Sequence, residues 1–165
     1  MTEPAEPDVA LVALAPGHAD ALFEAFADSE LYRYLDDDPP PSLDWLRRRF
    51  AALAAGAPPD SGEQWCNWAI IGPDGSVVGT TQATVRDEGP ASVAYVLAAD
   101  VHGRGIGRGA VRLMLDVLAA EYGVVDAQAE IDPRNARSIR LVESLGFVDA
   151  GTIGSDRRFV RRLSR

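Results

Sequence analysis

The sequence predicts a mixed α/β (α+β) domain: a mostly antiparallel sheet with flanking helices and one parallel strand pair. Three observations predict it. The apolar pattern reads strand, two helices, three meander strands, helix, strand, helix, two strands. Only residues 92–131 read as strand–helix–strand, so only one pair of strands should run parallel. Between the first of those strands and its helix lies a run of alternate glycines, His102-Gly-Arg-Gly-Ile-Gly-Arg-Gly-Ala110.

The elements follow in order. Residues 8–14 are a short strand closed by Pro16-Gly17, and residues 19–27 a helix with Leu22, Phe23 and Phe26 inward. Residues 36–41 hold too much proline for regular structure. Ser42 caps a second helix over 43–55, which Gly56 ends. Residues 65–71 and 77–85 form a hairpin around Pro73-Asp74-Gly75, and a turn at Glu88-Gly89-Pro90 leads to a central strand over 92–98. Helix 107–122 places Val111, Met114, Leu115 and Leu118 on one stripe. Residues 124–131 are a strand, and 136–145 a short helix with Ile139, Val142 and Leu145 on one face and Gly146 as its stop. Residues 147–153 and 157–163 close the chain as a hairpin.

A chain of 165 residues with 47% apolar content builds one domain with a sizeable core, over 1–165, with residues 1–7 expected to be flexible. No apolar run reaches membrane-spanning length, and the acidic, proline-rich start is wrong for a signal peptide. Cys66 is the only cysteine and reads as a small buried side chain, so the expected compartment is the cytoplasm. Trp45, Trp65 and Trp68 read as core residues, with the wall of a binding site as the alternative for one of them. A net charge of −9 argues against nucleic acid as the main partner. Asp36, Asp37 and Asp38 form an acidic run, read either as solvated surface or as part of a site for a cationic amine.

The glycine run is the candidate ligand site. Glycines let a ligand approach the backbone closely. The helix that follows presents unpaired N–H groups and a partial positive charge, to which Arg104 and Arg108 add theirs. The ligand these features suit is a diphosphate. Gly105-Ile-Gly-Arg-Gly-Ala110 taken alone matches the dinucleotide fingerprint, but that fold needs several strand–helix–strand units and only one fits. No Lys-Ser/Thr pair follows, which removes a P-loop. A ligand-free structural turn remains as the bland alternative.

Two motifs carry a resemblance. His102-Gly-Arg-Gly105-Ile-Gly107 is similar to the Arg/Gln-x-x-Gly-x-Gly/Ala signature of the GNAT superfamily of N-acetyltransferases, with His102 in place of Arg or Gln. Asn135-Ala-Arg-Ser-Ile-Arg-Leu-Val-Glu-Ser-Leu-Gly-Phe147 is similar to the family's Asn before a short helix ending in Leu-Gly-Phe. Asp28-Ser-Glu-Leu-Tyr-Arg-Tyr-Leu35, the helix from Ser42 and Trp68-Ala-Ile-Ile71 resemble the branch with the ribosomal-protein N-terminal acetyltransferases.

The resemblance implies a splayed parallel strand pair with acetyl-CoA in the gap as co-substrate, no metal, and transfer to a primary amine of a small molecule or a protein N-terminus. It implies that the main chain of Tyr95, Val96 and Leu97 holds the pantetheine arm and acetyl group, with the Leu97 N–H as oxyanion donor. His102, Gly103, Arg104, Gly105, Ile106, Gly107 and Arg108 take the diphosphate through main-chain N–H groups, and Asn135 contacts the arm through its amide. By the resemblance Glu130, five positions before Asn135, stands where some relatives place their base, and strand alternation sets Gln128, Glu130 and Asp132 opposite Ala127, Ala129 and Ile131. The alternative is an ordinary solvated carboxylate, and Asp87 and Glu88 are the runners-up. Many relatives carry a tyrosine acid where this chain has Val142 before Glu143. Ser138, one turn earlier, either protonates the leaving thiolate or bonds its own helix backbone. The competing function class is a non-catalytic acyl-CoA-binding or interaction module, and a homodimer is the assembly left open.

Overall fold

Seven strands form one sheet in the order β1-β2-β3-β4-β5-β7-β6. The computed structural model describes residues 7–163; of the flexible lead-in expected over 1–7, residues 1–6 lie outside the described residues. β1 (Ala10–Ala13) is followed by α1 (His18–Phe26), a 3₁₀ turn at Ser29–Tyr32 and α2 (Leu43–Ala55). The meander is β2 (Glu63–Ile71), β3 (Val77–Arg86) and β4 (Ala91–Leu97). Then come α3 (Ile106–Tyr122), β5 (Asp126–Ile131), α4 (Ala136–Ser144), β6 (Val148–Ile153) and β7 (Asp156–Arg162). The strand–helix–strand unit is present, and β4–β5 is the single parallel pair among the described residues.

α1 and α2 cover one face of the sheet. Leu22, Phe26, Leu46 and Phe50 pack there with Leu14 and Ala69. Ser42 caps α2 as expected, its Oγ accepting from Trp45 N–H at 3.0 Å. The buried stripe of α2 runs through Leu46 and Phe50, one helical turn apart, which turns Trp45 outward to 38% exposure. The expectation of a core tryptophan therefore fails at Trp45. Trp65 and Trp68 are half-buried, and only Trp68 packs against the main core.

α3 and α4 cover the other face. Val111, Met114, Leu115 and Leu118 are buried against Val93, Ala127, Ala129 and Phe159. Fully burying one such side chain is worth about 1.5–3 kcal/mol, so this stripe anchors α3 firmly on the strand pair it joins. Ala127, Ala129 and Ile131 are buried and Glu130 is exposed, so the alternation expected of β5 is present. Cys66 lies in the same core, where burial pushes its thiol pKa up.

The parallel pair is short. Ala91 aligns with Ala127 and Ser92 with Gln128, and no pairing joins β4 to β5 beyond that point. β4 continues to Leu97 and β5 to Ile131, so their C-terminal halves part and leave a gap.

Candidate active site

The gap exposes one edge of β4. Ala98 N–H donates to Val78 O at 2.8 Å, and β3–β4 pairing sets Thr80 opposite Val96 and Thr81 opposite Tyr95. Main-chain groups alternate in direction along an antiparallel ladder. Those of Val96 are therefore spent on β3, while those of Val93, Tyr95 and Leu97 turn to the gap. Gly79 sets the spacing at the end of this ladder. A Cβ there would lie 2.3 Å from the Val96 carbonyl oxygen, so only glycine fits.

The glycine turn closes the gap at the far end of β4. Gly103 and Gly105 both sit at φ 79°, a conformation that favours glycine. α3 starts at Ile106, and the N–H groups of its first turn have no intrahelical partner. Gly107 packs closely, for a Cβ there would stand 3.1 Å from Leu141 Cδ1 and 3.7 Å from Tyr95 Cε2. Ile106 is buried beneath the turn and Arg104 is exposed beside it. Arg108 reaches Ser144, its Nε 3.0 Å from the Ser144 hydroxyl, and so ties α3 to the end of α4.

His102 has a role that its replacement of Arg or Gln did not suggest. Its N–H is spent on Ala99 O at 3.2 Å. Its ring Nε2 lies 2.8 Å from the Leu97 carbonyl oxygen, and the Arg137 guanidinium meets its Nδ1. A carbonyl only accepts and a guanidinium only donates, so the imidazole carries its proton on Nε2. The ring thereby fixes the last residue of β4 to α4.

Asn135 caps α4, with its Oδ1 accepting from Ser138 N–H at 3.3 Å. That leaves the two donors of its amide nitrogen for a ligand. The Ser138 hydroxyl bonds the Tyr95 phenol at 3.0 Å rather than its own helix backbone. Burial raises the Tyr95 pKa, against the smaller lowering effects of the Ser138 bond and the Arg137 charge.

Two cavities meet here. One, of about 740 Å³, runs from the glycine turn along β4 and α4 past Leu97, His102 and Arg137. The other, of about 550 Å³, lies on the sheet face and is walled by Gln82, Thr84, Ser92, Gln128 and Glu130. Tyr95, Asn135 and Ser138 line both. So do Arg33, Tyr34 and Arg134, which form a bridge over the junction: each guanidinium carbon lies 5.4 Å from the centre of the Tyr34 ring. Asp132 grips Arg134 through two bonds of 3.0 and 2.8 Å, and that contact pulls its carboxyl pKa down to about 2.

Residues 8–148 match the acetyltransferase (GNAT) domain family. The chain belongs to the GNAT acetyltransferase family. No curated protein sequence matches it. Among solved structures, the GNAT fold is shared with the spermidine N-acetyltransferase from Vibrio cholerae in complex with CoA and spermine, at TM-score 0.75 and 17% identity over 94% of this chain and 95% of that one. The aminoglycoside acetyltransferase AAC(6')-Ib in complex with coenzyme A aligns at TM-score 0.77 and 21% identity over 94% and 95%. A GNAT acetyltransferase from Bacillus anthracis aligns at TM-score 0.78 and 14% identity over 95% and 96%.

Within this GNAT domain most of the expected site residues stand together. Tyr95, Val96, Leu97, His102, Gly103, Gly105, Gly107, Arg108, Asn135 and Ser138 all line the glycine-turn cavity. Glu130 lines only the sheet-face cavity, as does Asp36 from the acidic run. Neither Asp87 nor Glu88 reaches either cavity. Sequence reasoning missed Gly79, the Tyr95 phenol, the Tyr34 bridge and the Arg137 and Arg140 cations. The last two had a visible signal, since both stand three apart on the helix that follows Asn135. No helix among the described residues is long and apolar enough to cross a membrane.

Proposed function

We propose that this chain is an acetyl-CoA-dependent N-acetyltransferase that moves an acetyl group to a primary amine by direct attack on the thioester. The observation that carries this reading is the meeting of the two cavities at Tyr95, Asn135 and Ser138. One cavity ends in a glycine turn suited to a diphosphate, with Arg137 and Arg140 beside it for further phosphate charge. The other brings a carboxylate, Glu130, to the same junction.

The pantetheine arm pairs with the free edge of β4 through Tyr95, with Val96 backing it against β3, which leaves the Leu97 N–H for the acetyl group. Main-chain N–H groups from Gly103 to Arg108 take the diphosphate. The Asn135 amide donates to the arm. An amine of ordinary pKa is mostly protonated at neutral pH, so Glu130 removes a proton through water before the nitrogen attacks. The oxyanion formed on the acetyl oxygen accepts from Leu97 N–H. The added nitrogen loses its second proton to water in the acceptor cavity, the C–S bond breaks, and Ser138 gives the departing sulfur a proton that is replaced from solvent.

The acceptor-side charges favour a cation. Arg86 is held by Glu63 at 3.4 Å and Arg134 by Asp132, whereas Glu130, Asp36 and Asp156 have no cationic partner among the described residues. The polyamine and aminoglycoside chemistry in the names of two fold relatives supports a small basic acceptor. The likeness of residues 28–35 to the ribosomal-protein branch keeps a protein α-amine as the other acceptor class to assay.

The test is thiol release from acetyl-CoA with a panel of spermine, an aminoglycoside and short peptides with free N-termini. Turnover with one class, and acetyl-CoA binding by calorimetry, is the expected result. No acetyl-CoA binding overturns the reading. Tight binding with no turnover on any amine transfers the conclusion to a non-catalytic acyl-CoA-binding module.

A further inference from the structure

We propose that Tyr95 is the proton source for the departing thiolate, acting through the Ser138 hydroxyl. This rests on the acetyltransferase reading above. The geometry is a hydroxyl pair at the junction of the two cavities: Tyr95 Oη lies 3.0 Å from Ser138 Oγ, and both side chains line both cavities.

A serine hydroxyl is a poor acid alone. If Ser138 gave its proton to sulfur unaided, an alkoxide would be left in a half-buried site, and burying an unpaired charge is costly. Coupling to the phenol removes that difficulty. As the C–S bond breaks and its electron pair moves to sulfur, the Ser138 O–H proton passes to sulfur. The Tyr95 proton passes to Ser138 Oγ in the same step. The negative charge then rests on the phenolate, a far weaker base than an alkoxide. The ammonium nitrogen releases two protons into the acceptor cavity, one before attack and one after it, and solvent there returns one of them to Tyr95. One thiol, one amide and one proton leave, and no other reagent is needed.

The surroundings fit both forms of the phenol. Its burial keeps Tyr95 protonated, so the donor is loaded at neutral pH. The Arg137 charge nearby favours the phenolate left after transfer. The ring is seated by the close approach of α3 at Gly107, where a Cβ would stand 3.7 Å from Tyr95 Cε2. The Asn135 cap holds Ser138 at the start of α4. Tyr95 acts through Ser138 and so is a positioning residue; Ser138 is the group that meets sulfur.

The experiment compares the full chain with Tyr95→Phe, Ser138→Ala and the double variant. Tyr95→Phe keeps the ring and removes only the oxygen. The first readout needs no acceptor: titration of the thiol of bound CoA, followed by thiolate absorbance. Hydrogen bonds from the pair stabilise the thiolate, so Tyr95→Phe should raise the bound thiol's pKa by about one unit. The second readout is turnover of acetyl-CoA with the best amine of the panel. Each single variant should lose about 10²–10³ in kcat with KM for acetyl-CoA nearly unchanged. The double variant should be no worse than either single one, since the two hydroxyls act as a unit. An unchanged thiol titration, a loss confined to KM, or losses that multiply would each overturn the relay. If CoA binds and these readouts fail, the relay falls while the transferase reading stands; if CoA does not bind, both fall.

Discussion

Gly79→Ala should cost both stability and activity, although Gly79 lines neither cavity. An added Cβ would lie 2.3 Å from the Val96 carbonyl oxygen, against the 3.4 Å at which ordinary contact begins. The overlap is roughly 1 Å, and the obstacle is backbone, which cannot rotate away as a side chain can. Overpacking of this kind costs about 1–3 kcal/mol. For a chain of this size each kcal/mol moves Tm by about 2–4 °C, so a fall of about 2–12 °C is expected by calorimetry. The strand that must yield is β4 at Val96 and Leu97, whose next carbonyl His102 holds. A displacement of about 1 Å at a reacting centre can cost about 10²-fold in rate. The paired control is Gly17→Ala, where no atom lies within 4 Å and φ is −63°. That change should stay within about 0.5 kcal/mol of wild type. If Gly79→Ala melts with wild type, the close approach of β3 to β4 is not a constraint. If it melts early yet retains full turnover, the end of β4 does not position the thioester.

Three further outcomes follow from the site. Glu130→Gln should lower kcat/KM for the amine by about 10²–10⁴ while calorimetric acetyl-CoA affinity is kept; equal activity removes Glu130 as the base. Gly105→Ala places a side chain at φ 79° and should destabilise the turn by about 1–2 kcal/mol while weakening CoA binding, read by melting with and without CoA. The Asp132–Arg134 bond makes a pH-dependent contribution. Arg134 holds the folded carboxyl near 2, below its ordinary value of about 3.9, so the contribution is present above pH 4 and is lost as pH falls through about 2. Thermal melts of wild type and Asp132→Asn should therefore converge over that window; curves that stay parallel refute the coupling.

Much of this architecture was legible because it is local. The stripe Val111, Met114, Leu115 and Leu118 has helical period, the alternation Ala127, Ala129, Ile131 has strand period, and Ser42 and Gly56 punctuate α2 by capping chemistry. The glycine turn was legible for the same reason, since its backbone demands lie within a few residues. Trp45 was misread because period alone does not say where a buried stripe is centred, and Leu46 and Phe50 set it one position away. Gly79 was invisible because the atom that excludes a Cβ belongs to another strand. Tyr95 illustrates the same limit at the site. Along α4 the position where many relatives carry a tyrosine holds Val142, so local sequence points to Ser138 alone. The phenol that meets Ser138 stands 43 residues earlier in the chain, and only the packing of β4 against α4 brings the two together.

The parting of β4 from β5 is what joins these features into one site. Were the parallel pairing to continue past Ser92 and Gln128, β5 would occupy the main-chain groups of Tyr95 and Leu97, and the space between the two cavities would be filled. Because it stops there, the β4 edge is left short of partners, and an extended ligand can supply them as an added strand would. Across the same opening Asn135 and Ser138, at the start of α4, line the junction, and the Ser138 hydroxyl meets the Tyr95 phenol. The Arg33–Tyr34–Arg134 bridge spans the opening from the acceptor side and ties the loop after the 3₁₀ turn to the end of β5. The sheet-face cavity and the cleft along β4 therefore share one structural cause.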